Sequence, residues 1–190
     1  MSFTVAAFSS SPRSRANSEI LTDRLLAGAE KSGASVTKAG LHHLSIKACT
    51  ACGACQSTAE APCVIDDDMS DLIAQVRAAD ALVFASPIYF AAVNAQMKLF
   101  LDRLFAVFGG GDFLALEGKR MGVVLTYGAD DPFESGAVNA LRMFQDAAFF
   151  LKMDLRGWVH AACMDPGDVE SNSSALDAAF ALGEKLARDC

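Results

Sequence analysis

The sequence predicts an α/β fold in which a five-stranded parallel sheet is covered by helices on both faces. Short apolar segments alternate with amphipathic segments along the whole chain. All but one of the short apolar segments are apolar enough to be strands buried on both faces. A length of 190 residues suits one domain with one core, and the sequence contains no linker or internal repeat. We therefore expect residues 1–190 to form a single domain.

The predicted strands are short runs that end at turn residues. The second run is polar enough to be an edge strand of the sheet. The five strands span residues 3–8, 36–44, 81–85, 121–127 and 155–162.

The predicted helices have apolar residues at helical spacing and polar residues at their ends. The first helix begins at Asn17 or Ser18, and Gly33 follows its last turn as a C-terminal cap. The acidic residues 66–68 supply N-cap candidates for the second helix. The five helices span residues 17–31, 66–79, 92–108, 134–152 and 173–188.

The composition restricts the partners and the compartment of the protein. A net charge of −7 argues against nucleic acid, because that binding depends on neutralising phosphates. No segment approaches the roughly 18 consecutive apolar residues that a membrane span requires, and the N-terminus lacks the positive start of a signal peptide. We therefore expect a cytoplasmic protein with no membrane partner. In that compartment, six cysteines favour metal, redox or catalytic chemistry over structural disulfides.

The loop after the first strand is a candidate phosphate site. In parallel α/β sheets ligands bind beyond the carboxyl ends of the strands, and this loop also leads into a helix N-terminus with free N–H groups. Ser9, Ser11 and the guanidinium of Arg13 complete an anion pocket. The loop matches neither a Walker A motif nor a dinucleotide-binding turn. The alternative is a solvated turn capped by Asn17 or Ser18, but its position after the first strand favours the phosphate site.

The loops after the third and fourth predicted strands are candidates for binding a flat heterocycle. Pro87 stiffens the first of them, and Tyr89 and Phe90 cannot both point into the core of an extended segment. Aromatic side chains at a ligand site can stack on a planar ring. Tyr127 and Gly128 follow the fourth strand, where the glycine lets the backbone approach a ring closely.

Four of the six cysteines form a block with the spacing Cys49-x2-Cys52-x2-Cys55-x7-Cys63. A C-x2-C-x2-C run presents three thiolates to three corners of a [4Fe–4S] cluster, and Cys63 is close enough to supply the fourth. Zinc more often takes two separated pairs. The other alternative is a set of free, oxidisable thiols without a cluster. Cys163 and Cys190 have no partner at a metal-binding spacing, so we interpret Cys163 as a small buried residue.

The motifs together resemble those of the NADPH-dependent FMN reductase family, which has the flavodoxin-like fold. The cysteine block followed by Asp67-Asp68-Met69 is similar to that of the iron–sulfur flavoproteins within this family. Two residues depart from the family pattern, since Ser10 and Ala16 stand where glycine is common. The motifs that carry the resemblance are Ser10-Ser-Pro-Arg-x-x-x-Asn-Ser18, Ser86-Pro-Ile-Tyr-Phe90 and Gln96-x-Lys98-x-Phe100-x-Asp102-Arg103.

The resemblance implies a three-layer sandwich with strand order 2-1-3-4-5 and a bound FMN. The phosphate would lie in the loop of residues 9–18, and the ring would lie against residues 87–90 and 126–128. Relatives of this kind are usually homodimers or homotetramers. The implied FMN contacts are Ser9, Ser11, Arg13, Asn17, Ser18, Pro87, Ile88, Tyr89, Phe90, Thr126, Tyr127 and Gly128, and the implied cluster ligands are Cys49, Cys52, Cys55 and Cys63.

These features lead us to expect an FMN-dependent oxidoreductase that takes electrons from NAD(P)H and passes them to a small acceptor. No catalytic residue is required, because the cofactor performs the chemistry. The sequence does not distinguish among a quinone, a flavin, an azo compound, a metal ion and a nitroaromatic as the electron acceptor. It also does not distinguish NADH from NADPH as the electron donor. One alternative is a non-enzymatic electron carrier with FMN and a cluster. Another is a redox- or metal-sensing module that uses the cysteines alone.

Several other residues receive structural interpretations. His42 and His43 are placed on the edge strand, where alternation turns one inward and one outward, and His160 is placed in the core. The glycines at 109–111 are interpreted as a helix cap and loop. The apolar residues at 143, 144, 149 and 150 have helical spacing and are assigned to the core or a subunit interface.

Overall fold

The computed structural model describes residues 3–58, 61–111 and 114–188. Within them, five parallel strands form a sheet in the order β2-β1-β3-β5-β6, and β4 pairs antiparallel with the end of β3. The predicted fold class and strand order are confirmed, since β4 is an addition to one end of the third strand. The strands are β1 (Thr4–Ser9), β2 (Ser35–Gly40), β3 (Ala81–Tyr89), β4 (Ala92–Val93), β5 (Arg120–Tyr127) and β6 (Asp154–Ala162).

Helices cover both faces of the sheet and create two separate cores. The side chains of β1 alternate between them: Val5 and Ala7 face one core, and Ala6 and Phe8 face the other. Helices α1 and α5 contribute to the first core, and α2, α3 and α4 contribute to the second. The helices are α1 (Asn17–Lys31), α2 (Met69–Ala78), α3 (Ala95–Arg103), α4 (Ala137–Phe150) and α5 (Ser173–Ala187).

Helices α1 and α5 approach each other closely enough for their backbones to touch. A Cβ atom placed on Gly28 of α1 would lie 2.1 Å from the carbonyl oxygen of Phe180 in α5. A Cβ atom placed on Gly183 of α5 would lie 1.8 Å from the carbonyl oxygen of Leu25 in α1. Both distances are well inside van der Waals contact, so this crossing requires glycine on each helix.

The predicted helix 92–108 is wrong at both ends, because α3 spans only Ala95–Arg103 and is followed by a 3-10 segment, Leu104–Gly111, that includes the glycines predicted as its cap. Phe90 and Ala91 both have positive φ, at 51° and 62°, and they form a two-residue turn between β3 and β4. Two central residues with φ > 0 are the pattern of a type I′ hairpin turn, which usually contains Asn-Gly. Helix α3 begins only at Ala95, where the side chain of Asn94 accepts a hydrogen bond from the Met97 N–H (3.2 Å). The sequence analysis missed the hairpin because Phe-Ala is an unusual sequence for this turn.

We expect this turn to be strained, because each non-glycine residue in the left-handed region costs about 1–3 kcal/mol. Replacing Phe90-Ala91 with Asn-Gly should raise the free energy of unfolding by about 1–2 kcal/mol, measured by urea denaturation. The control is Phe90→Ala, which removes the exposed ring and leaves the strain in place. Equal stability of the Asn-Gly variant and this control would contradict the strain.

Other predicted bounds also change: the third strand extends to Tyr89 rather than ending at 85, and the second helix begins at Met69 rather than at 66. The second strand ends at Gly40 rather than at 44, and residues Leu41–His43 form a 3-10 turn in which the rings of His42 and His43 are 3.6 Å apart. His160 is exposed rather than in the core. The fourth predicted helix begins at Ala137 rather than at 134, because Gly136 has a φ of 78°. No helix in the described ranges is long and apolar enough to cross a bilayer.

Candidate functional site

A pocket of about 210 Å³ lies at the carboxyl edge of the sheet. It is enclosed by the loop after β1, the ends of β3 and β5, and the loop after β6. Its position next to β1 and β3 is the switch point of the strand order, where ligands of such sheets bind. The lining residues are Ser11, Arg13, Ala16, Asn17, Pro87, Ile88, Tyr89, Thr126, Tyr127, Gly128, Cys163, Met164 and Pro166.

The loop after β1 is held in place by hydrogen bonds from its own serine and from α3. The hydroxyl of Ser10 donates to the carbonyl of Ala85 (3.0 Å), and the side-chain amide of Asn94 donates to the carbonyl of Ser10 (2.7 Å). Arg15 is the loop residue with positive φ, at 52°, whereas Ala16 has an ordinary φ of −63°. Neither Ser10 nor Ala16 therefore needs to be glycine here.

Asn17 connects the first loop to the loop after β6. Its amide donates to the carbonyl of Asp165 (2.8 Å), and its side-chain oxygen accepts from the N–H groups of Gly167 (3.0 Å) and Val169 (3.1 Å). The side chain therefore does not cap α1, whose N-cap residue is Ala16. Asn17 lines the pocket while it holds two of its walls together.

The loop end of the pocket has the donors of an anion site. The first turn of α1 leaves backbone N–H groups without intrahelical partners, and the helix dipole favours a negative charge there. Arg13 is exposed and uses one guanidinium nitrogen to donate to the carbonyl of Met164 (2.9 Å). Ser18 is buried, and its hydroxyl has no hydrogen-bond partner within the described ranges. A phosphate at this end of the pocket would meet Ser11, Arg13 and the helix N-terminus.

The opposite end of the pocket is formed by the ends of the neighbouring strands β3 and β5. Residues Pro87–Tyr89 form one side and Thr126–Gly128 form another. The hydroxyl of Tyr127 lies 2.8 Å from Nδ1 of His160, outside the pocket lining. Burial raises the pKa of Tyr127, helped by the negative charge of Asp131, so the phenol stays protonated at neutral pH.

Three predicted FMN contacts lie away from the pocket lining. Ser9 and Ser18 are buried beside it, with exposures of 4% and 1%. Phe90 stands at the tip of the hairpin turn, fully exposed, because its positive φ turns the side chain outward. The other nine predicted contacts line the pocket.

One wall of the pocket, formed by the loop after β6, was not among the predicted site residues. Cys163, Met164 and Pro166 belong to it, and Ala16 faces it from the first loop. The available signal was the position of this loop at the end of a parallel strand. Cys163, interpreted as a buried residue, is partly exposed in the pocket. Burial, assisted by Asp168, raises its pKa to about 11, so its thiol is neutral.

A second cavity, of about 370 Å³, brings the four cysteines of the block together. Cys49 and Cys52 are exposed, Cys55 is buried, and Cys63 is intermediate; all four are free thiols. The backbone wraps around the cavity through left-handed conformations at Ala51 (φ 54°) and Gly53 (φ 71°). Thr50, Ile65, Asp102 and Phe105 complete the lining. Cys190 lies outside the described residues.

Side-chain hydrogen bonds reach two of these sulfurs, and backbone groups affect a third. The side-chain amide of Gln56 donates to Cys55 (3.4 Å), and the guanidinium of Arg103 donates to Cys63 (3.4 Å). The pKa of Cys52 is lowered, first by the backbone N–H of Ala54 and then by the side chain of Thr50. Within residues 3–58, 61–111 and 114–188, no three His, Cys, Asp or Glu side chains are arranged to hold a single metal ion.

Comparison with known proteins finds iron–sulfur flavoproteins among the relatives of this chain. The chain is 38% identical to an iron–sulfur flavoprotein of Archaeoglobus fulgidus over 117 residues, which cover 62% of this chain and 51% of that protein. It is 34% identical to an iron–sulfur flavoprotein of Methanosarcina thermophila over 99 residues, covering 52% of this chain and 51% of the other. The matches thus span about half the length of these relatives.

A solved structure shows the same fold over the whole chain. The NAD(P)H:quinone oxidoreductase from Methanothermobacter marburgensis superposes with a TM-score of 0.72, covering 100% of both chains at 18% identity. The family model of the NADPH-dependent FMN reductases matches residues 3–155, which include β1 to β5 and most of the pocket lining. The chain therefore belongs to the NADPH-dependent FMN reductase family.

Proposed function

We propose that this chain is an FMN-dependent oxidoreductase that takes electrons from NAD(P)H and holds FMN in the pocket at the carboxyl edge of the sheet. The observation that carries the proposal is the pocket itself, which joins the donors of an anion site to the ends of β3 and β5, beside the switch point of the sheet. Membership of the NADPH-dependent FMN reductase family supports the same cofactor and the same electron donor.

The residues of the pocket match the two ends of FMN. Ser11, Arg13 and the first turn of α1 would bind the phosphate, and the unpartnered hydroxyl of Ser18 lies buried in that turn. The segments 87–89 and 126–128 would bind the ring. FMN supplies the hydride and electron chemistry when it is bound. The protein positions the ring, and its neutral Tyr127 and Cys163 add no charge beside it.

The surface next to the ring site favours a small, flat acceptor such as a quinone or a flavin. Tyr89 is 38% exposed and Met164 is 63% exposed, and both line the pocket. Aromatic and thioether side chains at a pocket edge suit a planar apolar ligand. The protein requires no acid–base residue of its own for this step.

We also propose that Cys49, Cys52, Cys55 and Cys63 hold a [4Fe–4S] cluster. Each cysteine of such a cluster binds a different iron, so the four sulfurs surround a cavity instead of converging on one ion. The four thiols line one cavity in that manner, and Cys55 and Cys63 accept hydrogen bonds, which is typical of cluster sulfurs. The names of the curated relatives support the same cofactor.

A homodimer or homotetramer is the assembly that we propose. Phe149 and Phe150 at the end of α4 are 89% and 66% exposed, and Phe133 is 76% exposed. Large exposed aromatic side chains are typical of subunit interfaces.

The decisive experiment is purification without oxygen, followed by a visible spectrum, iron quantification and stopped-flow mixing with NADPH or NADH. We expect bound flavin, about four irons per chain for a [4Fe–4S] cluster, and bleaching of the flavin by the nicotinamide. Flavin that is reduced by dithionite but by neither nicotinamide would instead favour the non-enzymatic electron carrier, for which the exposed Cys49 and Cys52 offer an access point. A protein without flavin would overturn the proposal.

The phosphate site can be tested with two flavins. Arg13→Gln should weaken FMN binding at least about tenfold, because a charge-assisted hydrogen bond is worth about 1.5–3 kcal/mol. Riboflavin lacks the phosphate, so its dissociation constant should stay the same. Arg142→Gln, at an exposed arginine of α4, is the matched control. Equal loss of FMN and riboflavin affinity would place Arg13 away from the phosphate.

A further inference from the structure

Arg103 is a fully buried arginine next to the cysteine cavity. It is the last residue of α3, and its side chain is 1% exposed. Its two terminal nitrogens donate to the carboxylate of Asp67 at 2.6 and 3.0 Å. One of them also donates to the carbonyl of Lys47 (2.9 Å), and the other donates to the sulfur of Cys63 (3.4 Å). The guanidinium therefore contacts the chain on both sides of the cysteine block.

Asp67 completes this arrangement from the far end of the block. Besides both bonds from Arg103, its carboxylate accepts the N–H of Lys47 (2.9 Å) and the N–H of Met69 (3.1 Å). Its side chain is 1% exposed, like that of Arg103. Lys47 precedes the first cysteine and Asp67 follows the last, so the ion pair holds the two ends of the cysteine segment together.

A purely structural role explains the bonds to Asp67 and Lys47 but not the rest of the guanidinium. Nε of Arg103 is buried and has no hydrogen-bond partner among the described residues. A buried donor without an acceptor is unfavourable, and a charged one is more so. The ion pair with Asp67 also does not explain why the guanidinium contacts the sulfur of Cys63. The contact with Cys63 connects the guanidinium directly to a sulfur of the cysteine block.

We propose that Arg103 is a positioning residue for the iron–sulfur cluster. Its guanidinium holds Cys63 in place as a ligand and raises the reduction potential of the cluster. This inference rests on the proposed function, because it requires the cluster. Reduction adds negative charge to the cluster, and a buried cation that donates to a ligand sulfur stabilises the reduced form more than the oxidised form. Asp67 keeps the guanidinium fixed while it does so.

The test measures the reduction potential of the cluster in a potentiometric titration of the anaerobic holoprotein, with electron paramagnetic resonance as the method of detection. The first variant is Arg103→Gln combined with Asp67→Asn, which removes both charges and leaves no lone buried ion. We expect at least a tenfold shift of the one-electron equilibrium toward the oxidised cluster, which is about 59 mV. The flavin potential should stay the same.

Two further variants keep the test decisive. Arg103→Lys retains the charge but loses the fork geometry, so we expect a smaller shift in the same direction. Arg142→Gln combined with Asp146→Asn removes an exposed ion pair on α4 and should leave the cluster potential unchanged. If the first variant folds and binds FMN but contains less iron than the wild type, the loss of Cys63 as a ligand supports the proposal. If it does not fold, the potential of Arg103→Lys decides.

The outcomes separate this inference from the function on which it rests. A wild-type protein with FMN but without iron overturns the cluster, and the role of Arg103 with it. A loaded cluster whose potential is the same in the wild type, the double variant and Arg103→Lys overturns the role of Arg103 alone.

Discussion

Replacing Asp67 with asparagine is expected to lower the free energy of unfolding by about 3–5 kcal/mol, because it leaves the charge of Arg103 buried without a counter-ion. The two side chains are each 1% exposed, and the carboxylate accepts four hydrogen bonds. Urea denaturation of the anaerobic holoprotein, monitored by circular dichroism, measures this decrease in the free energy of unfolding.

The control for Asp67→Asn is Asp146→Asn. Asp146 also pairs with an arginine, but its side chain is 59% exposed. An exposed ion pair contributes about 0–1 kcal/mol, so the control should stay within that range. The double variant Asp67→Asn/Arg103→Gln should recover part of the stability that Asp67→Asn loses, because no lone charge remains. If Asp67→Asn and Asp146→Asn lowered the free energy of unfolding equally, the stabilising role of the buried ion pair would be contradicted.

Replacing Gly183 with alanine should destabilise the protein by about 2 kcal/mol, although alanine is the better helix former. Helix propensity alone would stabilise the variant by about 1 kcal/mol. The added Cβ would lie 1.8 Å from the carbonyl oxygen of Leu25, so α1 and α5 must separate. Such overpacking costs about 1–3 kcal/mol and sometimes more, and here the neighbour is backbone that cannot rotate away.

A double-mutant cycle tests whether one helix contact is responsible. Gly28→Ala should cost a similar amount, since its Cβ would lie 2.1 Å from the Phe180 oxygen. Once either alanine has separated the helices, the second should add less, so the double variant should lose less than the sum of the two single variants. Ala181→Gly, on the exposed side of α5, measures the difference in helix propensity between alanine and glycine without a change in helix packing. A gain of stability in Gly183→Ala would show that the helices do not touch.

The fold and the edge that holds the site follow from local sequence. The apolar runs and their spacing predict the parallel sheet, and the sheet predicts that ligands bind where the strands end. Nine of the twelve predicted contacts line the pocket for that reason. The boundaries of the third helix and the second strand were less predictable, because turns such as Phe90-Ala91 depend on tertiary contacts more than on residue type.

What the sequence analysis missed depends on residues far apart along the chain. The loop after β6 reaches the pocket because Asn17 binds Asp165, Gly167 and Val169, about 150 residues away. Arg103 lies in a motif shared with the family, but its use becomes visible only beside Asp67 and Cys63. Gly28 and Gly183 look like unfavourable helix residues until α1 and α5 are seen to cross. In each case the partner is set by the fold rather than by neighbouring residues.

Helix α3 has a consequence for electron transfer within the chain. Asn94 at its start binds the carbonyl of Ser10 in the first pocket loop, and Arg103 at its end binds the sulfur of Cys63. The nine residue steps from 94 to 103 span about 14 Å along a helix axis. One rigid helix therefore anchors a loop of the proposed flavin site at one end and a cysteine of the proposed cluster site at the other, so we expect the rate of electron exchange between the two sites to vary little as the surrounding surface moves.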